Sequence, residues 1–483
     1  MEEYGVIVIG GGPAGVTAAL RARELGASAA LVERRRMGGT CTNDGCVPTR
    51  VLAKAARLIR DAEQFSEYGL NISPPELDFE RLMQRTQHVV YTIHEKKQLI
   101  GHLQDAGVEV LAEVGEARFV DAHTIALPDG RQLAGEKIIL CAGGRARRLD
   151  FPGEELALTH SDVWSLKSLP RSLVVVGGAA TGCQLASIFV AFGAEVTLLE
   201  ISPRILRTED EAVVQVLQSE FLRHGIRIIA PFEGVKSIED RGKTKALTIA
   251  RDGNLETLEA EVILVSTGWL GNLASLNLPA ANVETVGPYV KVDDYLRTTT
   301  PHIFAAGDIT GRMMLVQSAG IEAQAAVENA LLGVGALQKH RVVPHGGFTD
   351  PEYGSVGMTE EQARLQGEVA VAVVPYSDLD RAVIDGHPVG LCKLIISQET
   401  HRLVGAHVVG EQALEIVEIA AAAMEADMWI EQLAELELAY PTFTGIIGLA
   451  ARQIVSDMGV RPLAPEWHVL GKRFSAEWES RNS

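Results

Sequence analysis

At 483 residues the chain is long enough for three domains of ordinary size, each with its own core. A formal net charge of −19 argues against nucleic acid or an anionic membrane as the main partner, since both need a basic face. Five cysteines in so long a chain do not make a disulfide framework, which points to a reducing compartment, and no apolar run reaches membrane-spanning length.

Met1, Glu2, Glu3 and Tyr4 offer no basic segment, so no signal peptide is expected and the expected location is cytoplasmic. The β-branched run from Tyr4 to Ile9 enters Gly10, Gly11, Gly12, Pro13, Ala14 and Gly15, then a helical pattern to Gly26 and a second strand, Ala29 to Glu33. This is strand, G-x-G-x-x-G, helix, strand, acid. The glycines, with Pro13 and Ala14 among them, let backbone approach a pyrophosphate at the helix start, and Glu33 is placed to accept from an adenosine ribose. A plain tight turn is the alternative, and the complete βαβ context weighs against it. Arg34, Arg35 and Arg36 form one basic cluster, read as a solvated loop.

The stretch Gly38 to Arg50 holds Cys41 and Cys46, with Pro48 two places after the second cysteine. Pro48 suits the first position of a helix continued by Val51, Leu52, Ala55, Leu58, Ile59, Ala62 and Phe65. Cys46 then lies near the positive end of a helix dipole, where a thiol ionises below its free value of roughly 8.5. The functional reading is a redox-active disulfide. Two small buried residues at a turn are the alternative, and spacing alone does not choose between them.

An apolar strand, Lys137 to Leu140, leads into Cys141, Ala142, Gly143 and Gly144, and Pro152 with Gly153 marks a crossover. The first arrangement then recurs: Leu173 to Val176, a G-x-A-x-x-G run at Gly177, Ala179 and Gly182, a helix to Phe192, and Val196 to Leu199 before Glu200. Gly10 to Glu33 and Gly177 to Glu200 are both 23 positions (33 − 10 and 200 − 177), so two dinucleotides are expected, or one unit that has decayed. Val262 to Ser266 exits through Thr267 and Gly268, and Thr298 to Asp308 ends a strand in an acid suited to a cofactor polyol chain, with a solvated turn acid as the alternative. From about His345 the pattern changes to strands such as Leu391 to Ile396 and Leu403 to Val409, followed by helices near Gln412 to Glu425 and Thr444 to Met458, an α+β domain. Cys141, Cys183 and Cys392 sit in apolar runs and read as core.

Taken jointly, these runs, with Phe348 to Glu352 and Tyr440, Pro441, Thr442, resemble the FAD-dependent pyridine nucleotide-disulfide oxidoreductases over essentially the whole chain. That group includes dihydrolipoamide dehydrogenase, glutathione reductase and mercuric reductase. The resemblance implies an α/β fold with two Rossmann-like domains and a C-terminal α+β dimerisation domain, the chain acting as a homodimer. The expected boundaries are an FAD domain in two parts, 1–152 and 271–344, an inserted NAD(P)H domain, 153–270, and a dimerisation domain, 345–483. It implies FAD and NADH as cofactors, a hydride passing from nicotinamide to flavin, and electrons passing on to the disulfide. Carried over by motif, Cys46 faces the flavin and Cys41 meets a small disulfide or thiol-reactive substrate. The cofactor-binding set then adds Gly39, Thr40, Arg50, Ala142, Gly143, Asp308 and Gly268 to the two glycine loops, Glu33 and Glu200. A carboxylate at Glu200 favours NADH, while Arg204 and Arg207 keep NADPH open.

The chain departs from the family pattern at several places. The C-terminal motif usually carries a His and, five positions on, a Glu that orients it; here Tyr440 and Gly445 stand there, and a Tyr is a poorer neutral-pH base by about 3.5 units, roughly 5 kcal/mol. None of the 13 histidines lies in Leu436 to Gly448. A tyrosine at this place resembles the mercuric reductases, whose acceptor is a metal ion held by thiolates. The paired cysteines expected at the C-terminus of those enzymes are absent, as is an N-terminal C-x-x-C domain, and no resident metal site is expected. Arg50 and Gln184 replace a Lys and Glu by the flavin, and Trp269 replaces an Arg. A diaphorase, with the dithiol idle, and a flavoprotein redox sensor are the rival readings.

Overall fold

A computed structural model describes residues 1–337 and 340–459. The described chain forms two compact units, one from Met1–Arg204 with Gly225–His340 and the other from Ile205–His224 with the chain after His340. Residues 460–483, where the sequence reading looks for paired cysteines, lie outside the described residues. Among the described residues no helix is long and apolar enough to cross a membrane.

The first unit begins with β1 (Glu2–Ile9), α1 (Pro13–Glu24), β2 (Ala29–Val32), α2 (Gly39–Asn43), α3 (Cys46–Asp61), α4 (Phe79–Lys97), β3 (Val108–Leu111) and β4 (Gln132–Leu140). The strands pair in parallel in the order β3-β2-β1-β4, and Ile303–Ala305 pairs in parallel with β4 on its other side. Val6 to Ile9 are all buried, as expected of a parallel strand covered on both faces. Small residues on α1, among them Ala18, Ala19 and Ala22, let it pack closely on the sheet and on the helix Val316–Leu332, itself faced with Ala319, Ala323 and Ala326.

A second parallel sheet repeats the plan with β5 (Ser172–Val176), α5 (Ala180–Ala191), β6 (Glu195–Leu199), β7 (Arg227–Ile229) and β8 (Val262–Val265), ordered β7-β6-β5-β8. A three-stranded antiparallel sheet, Gly234–Asp240, Lys245–Arg251 and Asn254–Ala260, buries Ile238, Leu247, Ile249 and Leu258 against Val174, Val176 and Leu199. Helix α3 packs on both α4 and α5.

The second unit holds α6 (Glu211–Arg223) and an antiparallel sheet in which His345–Gly347 pairs with β9 (Tyr353–Gly357). From there the order is β9-β12-β11-β10, with β10 (Val369–Pro375), β11 (Leu391–Ser397) and β12 (Leu403–Val409). Helices α7 (Ala413–Glu425) and α8 (Gly445–Asp457) close its core over Val356, Leu394, Ala406 and Val408.

Inside this unit a charged knot ties the start of α6 to the sheet. Lys393 Nζ lies 2.8 Å from Asp210 Oδ1 and 2.6 Å from Glu360 Oε2, with Lys393 only 5% and Asp210 only 2% exposed. Burial alone would raise the Asp210 pKa, but the Glu360 N–H and the Lys393 ammonium outweigh it and hold the carboxyl below its ordinary value; Lys393 does the same for Glu360. Removing Lys393 from this knot strands the buried Asp210 carboxylate. Lys393→Met should therefore cost about 3–5 kcal/mol, and the double change Lys393→Met with Asp210→Asn less, because the amide keeps the α6 cap without a charge. Because the folded pKa values are depressed, this stability is complete above about pH 4.5 and is lost as pH falls further. Urea unfolding of the three proteins at neutral and acid pH checks both statements.

Candidate active site

The two glycine loops are near copies. Gly10 and Gly177 hold φ of +112° and +110°, and a Cβ on them would stand 2.2 Å from Cys141 O and 2.3 Å from Ser266 O. A Cβ on Gly15 or Gly182 would lie 1.7 or 1.8 Å from the carbonyl oxygen of Gly10 or Gly177, so helix and strand can approach this closely only without side chains. The middle position is different. Gly12 and Ala179 cap α1 and α5 with ordinary φ of −78° and −81°, so Ala179 needs no strained backbone. Each loop is closed by its acid: Glu33 accepts from Gly11 N at 2.6 Å and Arg35 N at 2.8 Å, and Glu200 from Gly178 N at 2.7 Å and Ser202 N at 2.8 Å. Each carboxylate keeps lone pairs for a further donor.

These loops fit dinucleotides. At Gly12 a Cβ would meet only Gly39 Cα, at 3.6 Å, and at Gly143 and Gly268, both with φ above zero, nothing lies within 4 Å. Around the exit of the second sheet, Thr267 Oγ1, Asn272 Oδ1 and both ring nitrogens of His160 are buried without a hydrogen-bond partner. Asn272 Nδ2 donates to the carbonyls of Ala142 and Gly144 at 2.8 and 3.1 Å and so fixes the loop that carries Gly143. Asp308 lies behind it: a Cβ on Gly144 would stand 3.4 Å from Asp308 Cβ. Burial and then the nearby Glu322 raise the Asp308 pKa. Trp269, in place of an arginine, rests on His160 with ring centroids 4.3 Å apart.

The cysteine loop hangs directly on the first glycine loop, because Gly38 N donates to Gly11 O at 2.9 Å and Gly39 takes φ +64° against Gly12. Helix α3 starts at Cys46 rather than at Pro48, with Gly45 as N-cap and a first helical bond from Thr49 N to Gly45 O at 3.1 Å. Pro48 is the third helical residue, where its missing N–H is still one of the four that lack a helical partner. Cys41 sits on the short helix α2, which the sequence pattern did not reveal. The Cys41 thiol donates to the Cys46 sulfur. That bond lowers the Cys46 pKa to about 7, against opposition from burial and from the Asp308 charge. The same bond, with burial and the adjacent thiolate, pushes Cys41 well up. In the reduced pair Cys46 is thus the more acidic thiol, and its thiolate accepts from the Cys41 thiol.

Three side chains absent from the sequence reading brace this loop. Asn43 Nδ2 donates to Met37 O at 3.1 Å and Gly39 O at 3.0 Å, which turns its Oδ1 toward His94 Nε2, 2.8 Å away. Lys97 Nζ donates to Thr42 Oγ1 at 3.3 Å. Arg50 lies on α3 and Gln184 on α5, the packed pair of helices. In the second unit Tyr440 is 79% exposed, and its hydroxyl donates to Asp380 Oδ2 at 2.6 Å. This bond raises the phenol pKa. Asp380 is 60 positions from Tyr440, so no sequence motif announces the pair. A Cβ on Gly445 would meet only Leu379 Cδ1 at 3.7 Å and Thr442 Oγ1 at 3.9 Å, ordinary contacts that leave room for a side chain.

Residues 4–323 match the family described as pyridine nucleotide-disulphide oxidoreductase, and residues 343–451 match its dimerisation domain. The chain belongs to that family. It is 31% identical over 463 residues to a mercuric reductase of Lysinibacillus sphaericus, covering 95% of this chain and 84% of that one. It is 30% identical over 474 residues to the dihydrolipoyl dehydrogenase of Bacillus subtilis, covering 93% and 97%. Among solved structures it is similar to the HOCl-induced flavoprotein disulfide reductase RclA from Escherichia coli, in its Cu(II) complex, with TM-score 0.83 and 27% identity over 94% of this chain and 100% of that one. The protein is a flavin-dependent disulfide oxidoreductase, with FAD and NAD(P)H as the cofactors of its family and a mixed α/β fold.

Because the Cys41 hydrogen bond is the largest influence lowering the Cys46 pKa, Cys41→Ala should move the midpoint of Cys46 from about 7 toward the free value of roughly 8.5. The pH profile of iodoacetamide alkylation in the reduced protein measures it.

Proposed function

We propose that the enzyme, as a homodimer, carries two electrons from NADH to the Cys41–Cys46 disulfide and on to a small disulfide or another thiol-reactive acceptor. The observation that carries this reading is the pairing of Cys41 on α2 with Cys46 at the start of α3, on a loop hung from the first glycine loop. Bound FAD supplies the two-electron relay between nicotinamide and disulfide. The residues proposed to hold it are Gly10, Gly12, Pro13, Ala14, Gly15, Glu33, Gly39, Thr40, Arg50, Ala142, Gly143 and Asp308. Gly177, Ala179, Gly182, Glu200 and Gly268 are proposed to hold the nicotinamide dinucleotide, in an inserted domain spanning 153–270.

The chain's own chemistry is thiol exchange. Cys41, once deprotonated, attacks one sulfur of the acceptor disulfide; the acceptor S–S bond breaks, one thiolate leaves and takes up a proton, and a mixed disulfide forms. The Cys46 thiolate then attacks the Cys41 sulfur, closing the protein disulfide and releasing the second thiol, so that two electrons have passed. Asp380 keeps the Tyr440 phenol protonated, so Tyr440 is suited to donating a hydrogen bond rather than to removing the Cys41 proton near neutral pH. The tyrosine and the likeness to a mercuric reductase favour a second reading, in which the acceptor is a metal-ion electrophile that needs no thiol deprotonated by a base.

Steady-state oxidation of NADH with a panel of acceptors tests the reading; turnover that survives loss of both cysteines would favour a diaphorase, and no turnover with any acceptor a sensor. Cys46→Ser should abolish the long-wavelength absorbance of the two-electron-reduced holoenzyme, whereas Cys41→Ser should show it without added reductant; identical spectra overturn the assigned roles.

Glu200, buried and anchored by two backbone N–H groups, supports NADH over NADPH, because a fixed carboxylate repels a 2′-phosphate. The ratio of kcat/KM values checks this, and about a tenfold advantage for NADPH, some 1.4 kcal/mol, would reverse it.

Exchange with a dithiol should be slow at neutral pH and quicken as pH rises toward thiol ionisation. Tyr440→His with Gly445→Glu should recover more than the sum of the single changes, since the imidazole needs an orienting carboxylate. A flat profile from pH 6 to 8, about one unit either side of neutrality, at rates ordinary for the family shows that another group supplies the base.

A further inference from the structure

Lys97 stands beside the cysteine loop, and Arg36 acts on the same His94 ring as Lys97, in a chain whose net charge is −19. Lys97, in the last turn of α4, reaches Thr42, the residue after Cys41, at 3.3 Å. His94, one turn earlier, bonds Asn43 at 2.8 Å, and a Cβ on Gly38 would touch its Cε1 at 3.0 Å. Both Arg36 and Lys97 act on the His94 ring, so the three form one cluster over the cysteine loop, and the Lys97 charge also reaches Cys41. The Arg34–Arg36 run is the solvated loop the sequence indicates, and its last member, Arg36, acts on His94 over the cysteine loop.

The other charges near the loop do not cancel this cluster. Arg34 pairs with Glu116 at 3.7 Å, and Arg35 offsets Asp44. Glu95 and Lys96, adjacent on α4, balance each other in net charge. Asp308, half-buried, has a field that reaches Cys46. Lys97, with Arg36 near it, is thus left as positive charge beside the loop that carries Cys41, the thiol proposed to meet the acceptor.

We propose that Arg36 and Lys97 form a cationic collar that selects an anionic acceptor, a disulfide or other thiol-reactive molecule bearing carboxylates or comparable negative groups, over neutral and cationic ones. This rests on the disulfide-reduction reading above. A negatively charged acceptor gains from the local field although the protein as a whole repels it, and a bare metal cation is disfavoured. Lys97, whose charge reaches Cys41, also lowers the cost of forming a second thiolate there.

The test uses the FAD-loaded enzyme with NADH and three probes: dianionic 5,5′-dithiobis(2-nitrobenzoate), neutral 2,2′-dithiodipyridine and dicationic cystamine. Lys97→Glu and Arg36→Glu should each lower the ratio of anionic to cationic kcat/KM by about tenfold or more, and Lys97→Arg should keep it. Lys243→Glu, on an exposed turn of the antiparallel sheet, changes the net charge equally and should leave the ratio alone. Wild-type preference for the dianion should weaken as salt rises. A ratio unmoved by Lys97→Glu and Arg36→Glu, with disulfides still reduced, overturns the collar and leaves the disulfide reading standing. If the wild type reduces none of the three disulfides while NADH still bleaches the flavin, the disulfide reading falls and the collar with it.

Discussion

The bare backbone contact between Gly11–Gly12 and Gly38–Gly39 decides where the dithiol stands. Gly38 N bonds Gly11 O, and a Cβ on Gly39 would lie 2.8 Å from Gly12 Cα. No side chain separates the loop that carries the cysteines from the loop that begins α1. A helix start bearing free N–H groups and a helix start bearing a thiol are therefore held at one fixed spacing, at the carboxyl edge of one parallel sheet. That edge is where an open α/β sheet offers its ligand crevice. A substitution at Gly39 would shift the dithiol relative to the nucleotide cradle before it changed any chemistry.

The same economy of side chains appears a second time around Gly177, and the copy shows which glycines geometry demands. Gly10, Gly15, Gly177 and Gly182 meet backbone within 2.3 Å of an added Cβ, so the chain must be glycine there. Gly12 does not, and its counterpart is Ala179. These local rules made the two nucleotide units and their acids legible in the sequence, since every partner lies within about one βαβ unit. The lowered Cys46 pKa rests chiefly on the hydrogen bond from Cys41, which no helix signal announces, although Cys46 also starts a helix, two residues before the proline that signalled it.

What the sequence did not reveal is what distance in the chain conceals. His94 bonds Asn43 across 51 positions, Lys97 bonds Thr42 across 55, and Asp380 accepts from Tyr440 across 60. Helical periodicity describes α4 without saying that its last turn faces the cysteine loop. The charged knot of Asp210, Glu360 and Lys393 is hidden likewise, because its members come from three elements, and a buried lysine reads in sequence as a surface one.

Asp380 changes the meaning of the tyrosine that replaces the usual histidine. A tyrosine alone is a weak base at neutral pH; one that already donates to a carboxylate is weaker still, because losing its proton would place two anions side by side. The Tyr440–Asp380 pair cannot stand in for a His–Glu pair by titrating. On the proposed function the proton of Cys41 leaves without a base at Tyr440, and two features in the first unit bear on it. Cys46 carries the first negative charge at low cost, and Lys97 offsets the second. Electrostatic support of a thiolate differs from base catalysis in one respect: it persists only while the cation is near and water is partly excluded, so salt and acceptor charge enter the rate where pH alone would enter for an imidazole. On the proposed reading, a family member with tyrosine in place of that histidine trades a general base for an environment, one that favours acceptors able to use its sign.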